Sequence, residues 1–222
     1  MRVAISLGGS LLTHTPEAYT KYADTLIELK ERGHQLIVVT GGGRTARTWI
    51  NLAKQLGADT YTQDRLGIHA THLNALLLIA ALGPHAHPHI HRRGSEIKRN
   101  MNHQILVGGG HLPGSSTDYR TVLFAQAAGA ELVINATDVD GVYDRNPDIN
   151  PDAVKLPHIT HYWLEKIILE NAEQAPGEYG LFDLKAVRRA KKLKLPITFI
   201  DGTDPKEIAR AIEGGHNGTE VR

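Results

Sequence analysis

Three stretches of strand-like composition each run into a cluster of glycines, and that repetition limits the fold more than any other feature of the chain. Val3–Leu7 leads to Gly8-Gly9-Ser10, Gln35–Thr40 to Gly41-Gly42-Gly43, and Gln104–Val107 to Gly108-Gly109-Gly110. Short continuous apolar runs, as opposed to alternating ones, are expected of strands buried on both faces of a parallel sheet. Helical periodicity fills the gap between the first two. Pro16–Arg32 puts Ala18, Tyr22, Leu26 and Leu29 on one face, with Pro16 suited to the first turn and Gly33 to the C-cap. A helix is also predicted after Gly43, from Arg44 to about Leu56. Strand, helix, strand, glycine turn and helix is a βαβα start, which implies right-handed crossovers. On such a sheet the glycine turns fall along the carboxyl edge, where ligands bind.

The remainder fits the same plan. Asp64–Leu82 is predicted as a long helix that presents Ile68, Leu73, Leu76, Leu77 and Ala80 for packing, ended by Gly83-Pro84. His85–Asn102 is rich in Pro, His and Arg, and its periodicity leaves a hairpin, a short helix and a surface loop open. A helix from Asp118 to Gly129 precedes a strand over Glu131–Ala136, followed by turn chemistry in TDVDGVYDRNPDINPDA. Further helices are expected over Ile159–Asn171, Asp183–Leu193 and Pro205–Glu213, with a loop over Ala175–Gly180. A strand is expected over Leu195–Asp201 and an edge strand over Gly218–Val221. The expected fold is α/β: a three-layer α/β/α sandwich around a mainly parallel sheet, with all 222 residues in one domain.

Composition removes several classes of function. The chain has no cysteine, which excludes disulfides and thiolate chemistry and favours a reducing compartment. No signal peptide pattern opens it, and no run approaches the roughly 20 apolar residues of a membrane span. A formal charge of +1 lacks the basic excess of a nucleic-acid surface. A cytoplasmic protein with no membrane or nucleic-acid partner is expected.

The glycine edge itself suggests a ligand. Adjacent glycine turns offer converging N–H groups and little side-chain bulk, which suits several phosphates. Helices predicted after Gly43 and Thr117 would turn their positive ends to the same edge. Arg44 and Arg47 fall in the first turn of one of them, where a cation opposes the helix dipole and makes better sense if it meets an anion. No Walker A sequence, G-x-G-x-x-G or G-x-S-x-G occurs, which sets aside P-loop enzymes, dinucleotide binding and serine hydrolases.

LGGS at Leu7–Ser10, GGGRTAR at Gly41–Arg47 and ATDVDGVYDRNP at Ala136–Pro147 resemble the amino acid kinase superfamily, and within it the archaeal type of uridylate (UMP) kinase. DRLGIHATHLNALLL at Asp64–Leu78, LPGSSTD at Leu112–Asp118 and GGHNGTEV at Gly214–Val221 fit that branch too. The resemblance implies transfer of the γ-phosphoryl of Mg-ATP to UMP. It implies an acceptor lobe over about residues 1–130, an ATP lobe over about 131–222, and dimers assembling to a homohexamer. By resemblance, Gly8, Gly9, Ser10, Gly43, Arg47, Thr137, Asp138, Tyr143 and Asn146 bind ATP. Gly42, Asp64, Leu112, Pro113, Gly114, Ser115, Ser116, Thr117 and Asp118 hold UMP. Gly9, Arg47 and Asp183 serve the chemistry, with ATP and Mg²⁺ as the cofactors and no resident metal.

The chain departs from the family at several positions. Asp138 stands where the family has Asn, and Asn146 where it has Asp. Ser6 replaces a lysine of bacterial relatives, and EQAPGEYG at Glu173–Gly180 lacks a lysine expected to face the leaving phosphate. Lys185 is expected to point away from that face. Of 13 histidines, eight lie between His69 and His111. His85, His87, His89 and His91 alternate, but Pro84 and Pro88 interrupt the segment, so a polar surface loop is expected. His69 and His72 share a helix face and are expected at a subunit interface, and His111 borders the monophosphate loop. Trp49 and Trp163 are expected to pack, and the cations of Arg188–Lys194 to form a solvated face. The histidines keep two alternatives open: a protein of this fold that stores molybdate or tungstate, and a kinase for another small phosphorylated acceptor.

Overall fold

The computed structural model describes residues 1–101, 104–147, 149–172 and 181–222. The strands are Arg2–Leu7 (β1), Gln35–Thr40 (β2), Leu106–Gly108 (β3), Leu132–Thr137 (β4), His158–Ile159 (β5), Ile197–Asp201 (β6) and Thr219–Val221 (β7). The helices are Pro16–Glu31 (α1), Gly43–Gln55 (α2), Thr60–Leu82 (α3), Gly94–Asn100 (α4), Thr117–Ala128 (α5), His161–Ala172 (α6), Leu184–Leu193 (α7) and Lys206–Glu213 (α8). The strands form one sheet in the order β3-β2-β1-β4-β6-β7-β5. The five strands from β3 to β6 run parallel, β7 pairs antiparallel with β6, and β5 pairs parallel with β7.

Alternation along the strands divides the core in two. Val3, Ile5, Leu7, Leu36, Val38 and Ile134 face α1, α3 and α8 with Tyr22, Leu26, Leu78 and Ile208. Ala4, Ile37, Val39, Leu106, Val133 and Phe199 face α4, α5, α6 and α7 with Ile97, Phe124, Leu164 and Val187. Two apolar layers about a central sheet explain why the strands read as unbroken hydrophobic runs. Helices α1, α5 and α7 each lead into the next parallel strand, so their N-termini reach the carboxyl edge of the sheet.

Several boundaries differ from the sequence reading. Helix α3 begins four residues before Asp64, because Asp59 caps it by accepting from Thr62 N–H at 2.8 Å. The apolar periodicity starts only later. Strand β3 is shorter than Gln104–Val107 and shifted toward Gly108. His158–Ile159 is extended, where a helix start was expected at Ile159, and it forms the sheet margin. Strand β7 therefore lies inside the sheet and is not an edge strand. Within His85–Asn102, bridges at Ala86–Ile105 and His91–Gly108 lay the chain along β3 before α4. The loop predicted at Ala175–Gly180 lies outside the described residues. Thr60–His85 is long and apolar enough by composition to cross a membrane, but Ala70, Ala75, Leu78 and Leu82 are buried in the core.

Candidate active site

Backbone contacts bring the first two glycine turns together. Gly8 N–H donates to Ala136 O at 2.8 Å, and Gly41 N–H donates to Leu7 O at 2.8 Å. The first turn is thereby wedged between the ends of β2 and β4. At Gly9 an added Cβ would collide with Gly43 N and lie 2.7 Å from Gly41 C. Gly43 takes φ +55°, a conformation that favours glycine. The close approach of two backbones, which neither turn announces alone, is what these glycines permit.

Helix α3 attaches the turns to one another through polar side chains on its buried face. Asn74 Nδ2 donates to Gly41 O at 2.7 Å and its Oδ1 accepts from Tyr19 OH at 2.9 Å. Thr71 Oγ1 accepts from Gly110 N–H at 2.8 Å and donates to Ile68 O at 2.7 Å. His72 Nε2 contacts Gly110 O at 2.7 Å. His72 thus braces the third glycine turn, and His69 beside it on the helix is exposed. Thr71 and Asn74 escaped the sequence reading. Their signal was polarity at two positions of a helix face otherwise occupied by Ala70, Ala75 and Leu78.

Two cavities open at this edge. One, of about 260 Å³, is lined by Gly42, Asp64, Gly67, Thr71, Gly110, Leu112 and Ser115–Thr117, among others. Asp64 crosses its mouth and accepts from Gly114 N–H at 2.6 Å, which fixes the Leu112–Asp118 loop onto α3. Ser116 caps α5 by accepting from Tyr119 N–H at 3.0 Å. The neighbouring cavity, of about 360 Å³, is lined by Gly9, Ser10, Leu12–Thr15, Arg44 and Arg47. Both arginines are exposed there, Arg44 in the first turn of α2 and Arg47 just after it. Pro113 lies in the loop without lining the first cavity. A cavity of about 280 Å³ lies at the amino ends of β2 and β3, and one of about 570 Å³ lies at the sheet margin beside β5 and α6.

Two carboxylates come together near the carboxyl end of β1. Ser6 Oγ donates to Asp118 Oδ1 at 2.8 Å. The Asp183 backbone N–H donates to the same carboxyl group. Asp118 keeps some exposure, yet its carboxyl is packed deeply enough that burial pushes its pKa up to about 6. The charge of Asp183 contributes to that rise, against the pull of the two donors. Asp183 caps α7 by accepting from Lys185 N–H at 2.6 Å and Ala186 N–H at 3.3 Å. Lys185 does not point away. Its Nζ donates to Gly114 O at 3.0 Å, because a side chain in the first turn of a helix leans back toward the N-terminus.

On the other side of β4, Thr137 Oγ1 accepts from Val139 N–H at 3.2 Å and Gly202 N–H donates to Thr137 O. Tyr143 OH donates to Asp140 Oδ1 at 2.9 Å, and Lys155 pairs with the same carboxylate at 2.8 Å. Asp138 is exposed whereas Asn146 is buried, so the two exchanged positions occupy different surroundings.

A sequence profile described as the amino acid kinase family matches residues 1–201. The chain belongs to the amino acid kinase family. A uridylate kinase of Pyrobaculum neutrophilum is 36% identical over 222 residues, covering all of this chain and 99% of its own. One of Methanothermobacter thermautotrophicus is 38% identical over 218 residues, covering 96% of each. The crystal structure of uridylate kinase from Archaeoglobus fulgidus superposes with a TM-score of 0.90 at 34% identity, over the whole of both chains. A UMP kinase from Bacillus anthracis shares the fold, with a TM-score of 0.83 at 21% identity over all of this chain and 95% of its own.

The histidine-rich segment of this amino acid kinase chain differs from the surface loop expected. His91 is buried, with Nδ1 3.1 Å from Val107 O and Nε2 3.1 Å from Asn100 Nδ2. His87 packs against it with ring centroids 4.7 Å apart. Among the described residues, no three His, Cys, Asp or Glu side chains are grouped to hold a metal ion. Trp49 and Trp163 are half exposed and not packed inside. On α7, Arg188 and Lys191 both pair with Glu165 of α6, and Arg189 bonds Gln126 of α5. Part of the cationic run thus ties helices together.

Proposed function

We propose that this protein transfers the γ-phosphoryl of ATP to UMP, giving UDP and ADP. The observation that carries the reading is full-length similarity to uridylate kinases at 36–38% identity, joined to a glycine-walled edge with two cavities adjoining the first residues of α2. Phosphoryl transfer asks the protein for alignment and charge stabilisation with little covalent work. Gly8, Gly9, Ser10 and Gly43 would turn backbone donors to the ATP phosphates, and Arg47 would balance developing charge. Thr137, Asp138, Tyr143 and Asn146 would take the adenosine side. Gly42, Asp64 and the Leu112–Asp118 loop would enclose UMP in the cavity of about 260 Å³. The acceptor lobe is residues 1 to about 130 and the ATP lobe about 131–222.

Mg²⁺ fits the donor set as an ion carried on the nucleotide, since one or two carboxylates are enough when phosphates supply the other oxygens. Asp183 would hold it: one carboxylate oxygen accepts two N–H groups, and the other has no hydrogen bond among the described residues. Bound there, the ion would neutralise phosphate charge. The exposed apolar residues of α2 and α3, Trp49, Leu52, Leu56, Leu73, Leu76 and Leu77, suit a subunit interface in dimers that build a hexamer.

The test offers purified protein ATP, Mg²⁺ and each nucleoside monophosphate in turn, with metal content measured in parallel. UDP formation with a clear preference for UMP is expected. No turnover of UMP together with tight molybdate or tungstate binding overturns the reading. Within it, Asp64→Ala is expected to raise KM for UMP by roughly tenfold, the scale of one hydrogen bond to a charged group. The change in kcat should be smaller, because Asp64 shapes the acceptor loop and lies away from the phosphates. Steady-state rates with UMP varied check this, and an unchanged KM counts against the loop's role.

A further inference from the structure

The acceptor cavity presents a problem of charge. Its lining includes one ionisable side chain, Asp64, and no cation. Arg44 and Arg47 line the adjoining cavity beside Gly9 and Ser10. Position 6 carries a serine committed to Asp118, and Glu173–Gly180 contains no lysine. A phosphorylated acceptor enclosed by the Leu112–Asp118 loop would therefore meet the carboxylate of Asp64 and no cation in the lining of its own cavity. Lys185 comes to its mouth from outside. It leaves α7 at its N-terminal turn, crosses to the loop and rests on Gly114 O at 3.0 Å. The same glycine donates its N–H to Asp64, so the ammonium is held on the residue that closes the cavity mouth.

Its surroundings leave it available. One of its three N–H donors is occupied by the carbonyl, and it forms no ion pair with a carboxylate among the described residues. Its helix neighbours Arg188 and Lys191, by contrast, are both paired with Glu165. Lys185 is exposed, so an arriving anion would not have to displace packed side chains. The aliphatic stem spans two elements 71 residues apart in sequence and brings a mobile, strongly hydrated point charge to the loop.

We propose that Lys185 is the cation that meets the acceptor's phosphate, supplying from the first turn of α7 the positive charge absent from position 6 and from Glu173–Gly180. The proposal rests on the UMP kinase reading. It makes Lys185 a catalytic residue by contact: two donors free of Gly114 face the phosphate, and the third keeps the loop closed over it. The charge offsets repulsion from Asp64 and steadies the phosphate as the acceptor oxygen attacks.

The test compares the wild type with Lys185→Met, which keeps the length of the side chain and removes its charge, and with Lys185→Arg. Rates of UMP phosphorylation are measured alongside calorimetric binding of UMP and of uridine, with melting curves to verify folding. Lys185→Met is expected to lower kcat/KM for UMP by roughly 100-fold, the scale of one lost electrostatic donor. It should weaken UMP binding while leaving uridine binding unchanged, and Lys185→Arg should recover most of both losses. Wild-type kcat/KM in Lys185→Met overturns the proposal, as does an equal loss of UMP and uridine affinity, which would mark a brace for the loop alone. Failure of the kinase reading looks different: the wild type then makes no UDP, while the UMP and uridine binding arms still decide whether Lys185 meets a phosphate.

Discussion

Gly9→Ala is expected to reduce UMP phosphorylation by roughly 100-fold or more, the cost of displacing reacting groups by about an ångström. The added methyl group has no free space. It would strike Gly43 N and come within 2.7 Å of both Gly41 C and Gly43 Cα, all of them backbone atoms. No rotamer change relieves such a clash, so the first and second glycine turns must separate. Each is held from behind, by Gly8 N–H on Ala136 O, Gly41 N–H on Leu7 O and Asn74 on Gly41 O. Separation therefore strains the ends of β1 and β2 and costs on the order of 1–3 kcal/mol of stability. Gly8→Ala supplies the contrast. Its methyl group would meet Ala136 O at 3.1 Å and Thr137 Cα at 3.4 Å, distances that a shift of a few tenths of an ångström accommodates. Initial rates of UDP formation and thermal melting of the two variants check the ranking. Equal activities would show that the approach of the two turns is not what aligns the phosphates.

The second large effect concerns pH. Asp118 holds its proton up to about pH 6, against a usual value of 3.8, first because its carboxyl is buried and then because Asp183 is near. Between those values the folded state binds the proton more tightly than the unfolded chain does. Stability from this group is therefore complete below about pH 3.8 and is lost as pH rises through 6. The loss is up to about 2 kcal/mol, reduced by the partial exposure of the residue. Asp59, Asp140, Asp144 and Glu165 have lowered pKa values and act in the opposite sense. The total pH profile will hide the effect for that reason, and a comparison with Asp118→Asn isolates it. Denaturant unfolding from pH 4 to pH 7.5 is expected to show the wild type losing about 2 kcal/mol relative to the variant. Parallel profiles would mean that Asp118 titrates like a surface carboxylate. Activity should fall in Asp118→Asn at every pH, because the amide cannot accept from both Ser6 Oγ and Asp183 N–H through equivalent oxygens.

The parallel core was legible because its signals are local. Leu36–Val39 and Val133–Ala136 are unbroken apolar runs, and Pro16 and Gly129 mark helix ends at the residues where the chain turns. The margins were less legible. β5 has two residues and β3 three, too few to display a period, and both form only because a neighbouring strand is there to pair with. Asp59 begins α3 through a single side-chain hydrogen bond, five residues before the predicted start at Asp64.

Gly8-Gly9-Ser10 and its two counterparts are features the sequence by itself determined: three backbone turns at strand ends, free of side-chain bulk, and so an edge suited to phosphate. Which side chains complete that edge was decided by tertiary structure. Ser6 meets Asp118 across 112 residues, Asn74 holds Gly41 across 33, and Lys185 reaches Gly114 across 71. Periodicity reports how a segment buries itself against a core, and it loses sight of a polar atom whose partner comes from another element. Lys185 shows the difference most plainly. It was expected to point away from the leaving phosphate, yet its position in the first turn and the backward lean of its side chain bring its charge to the loop that closes the acceptor cavity.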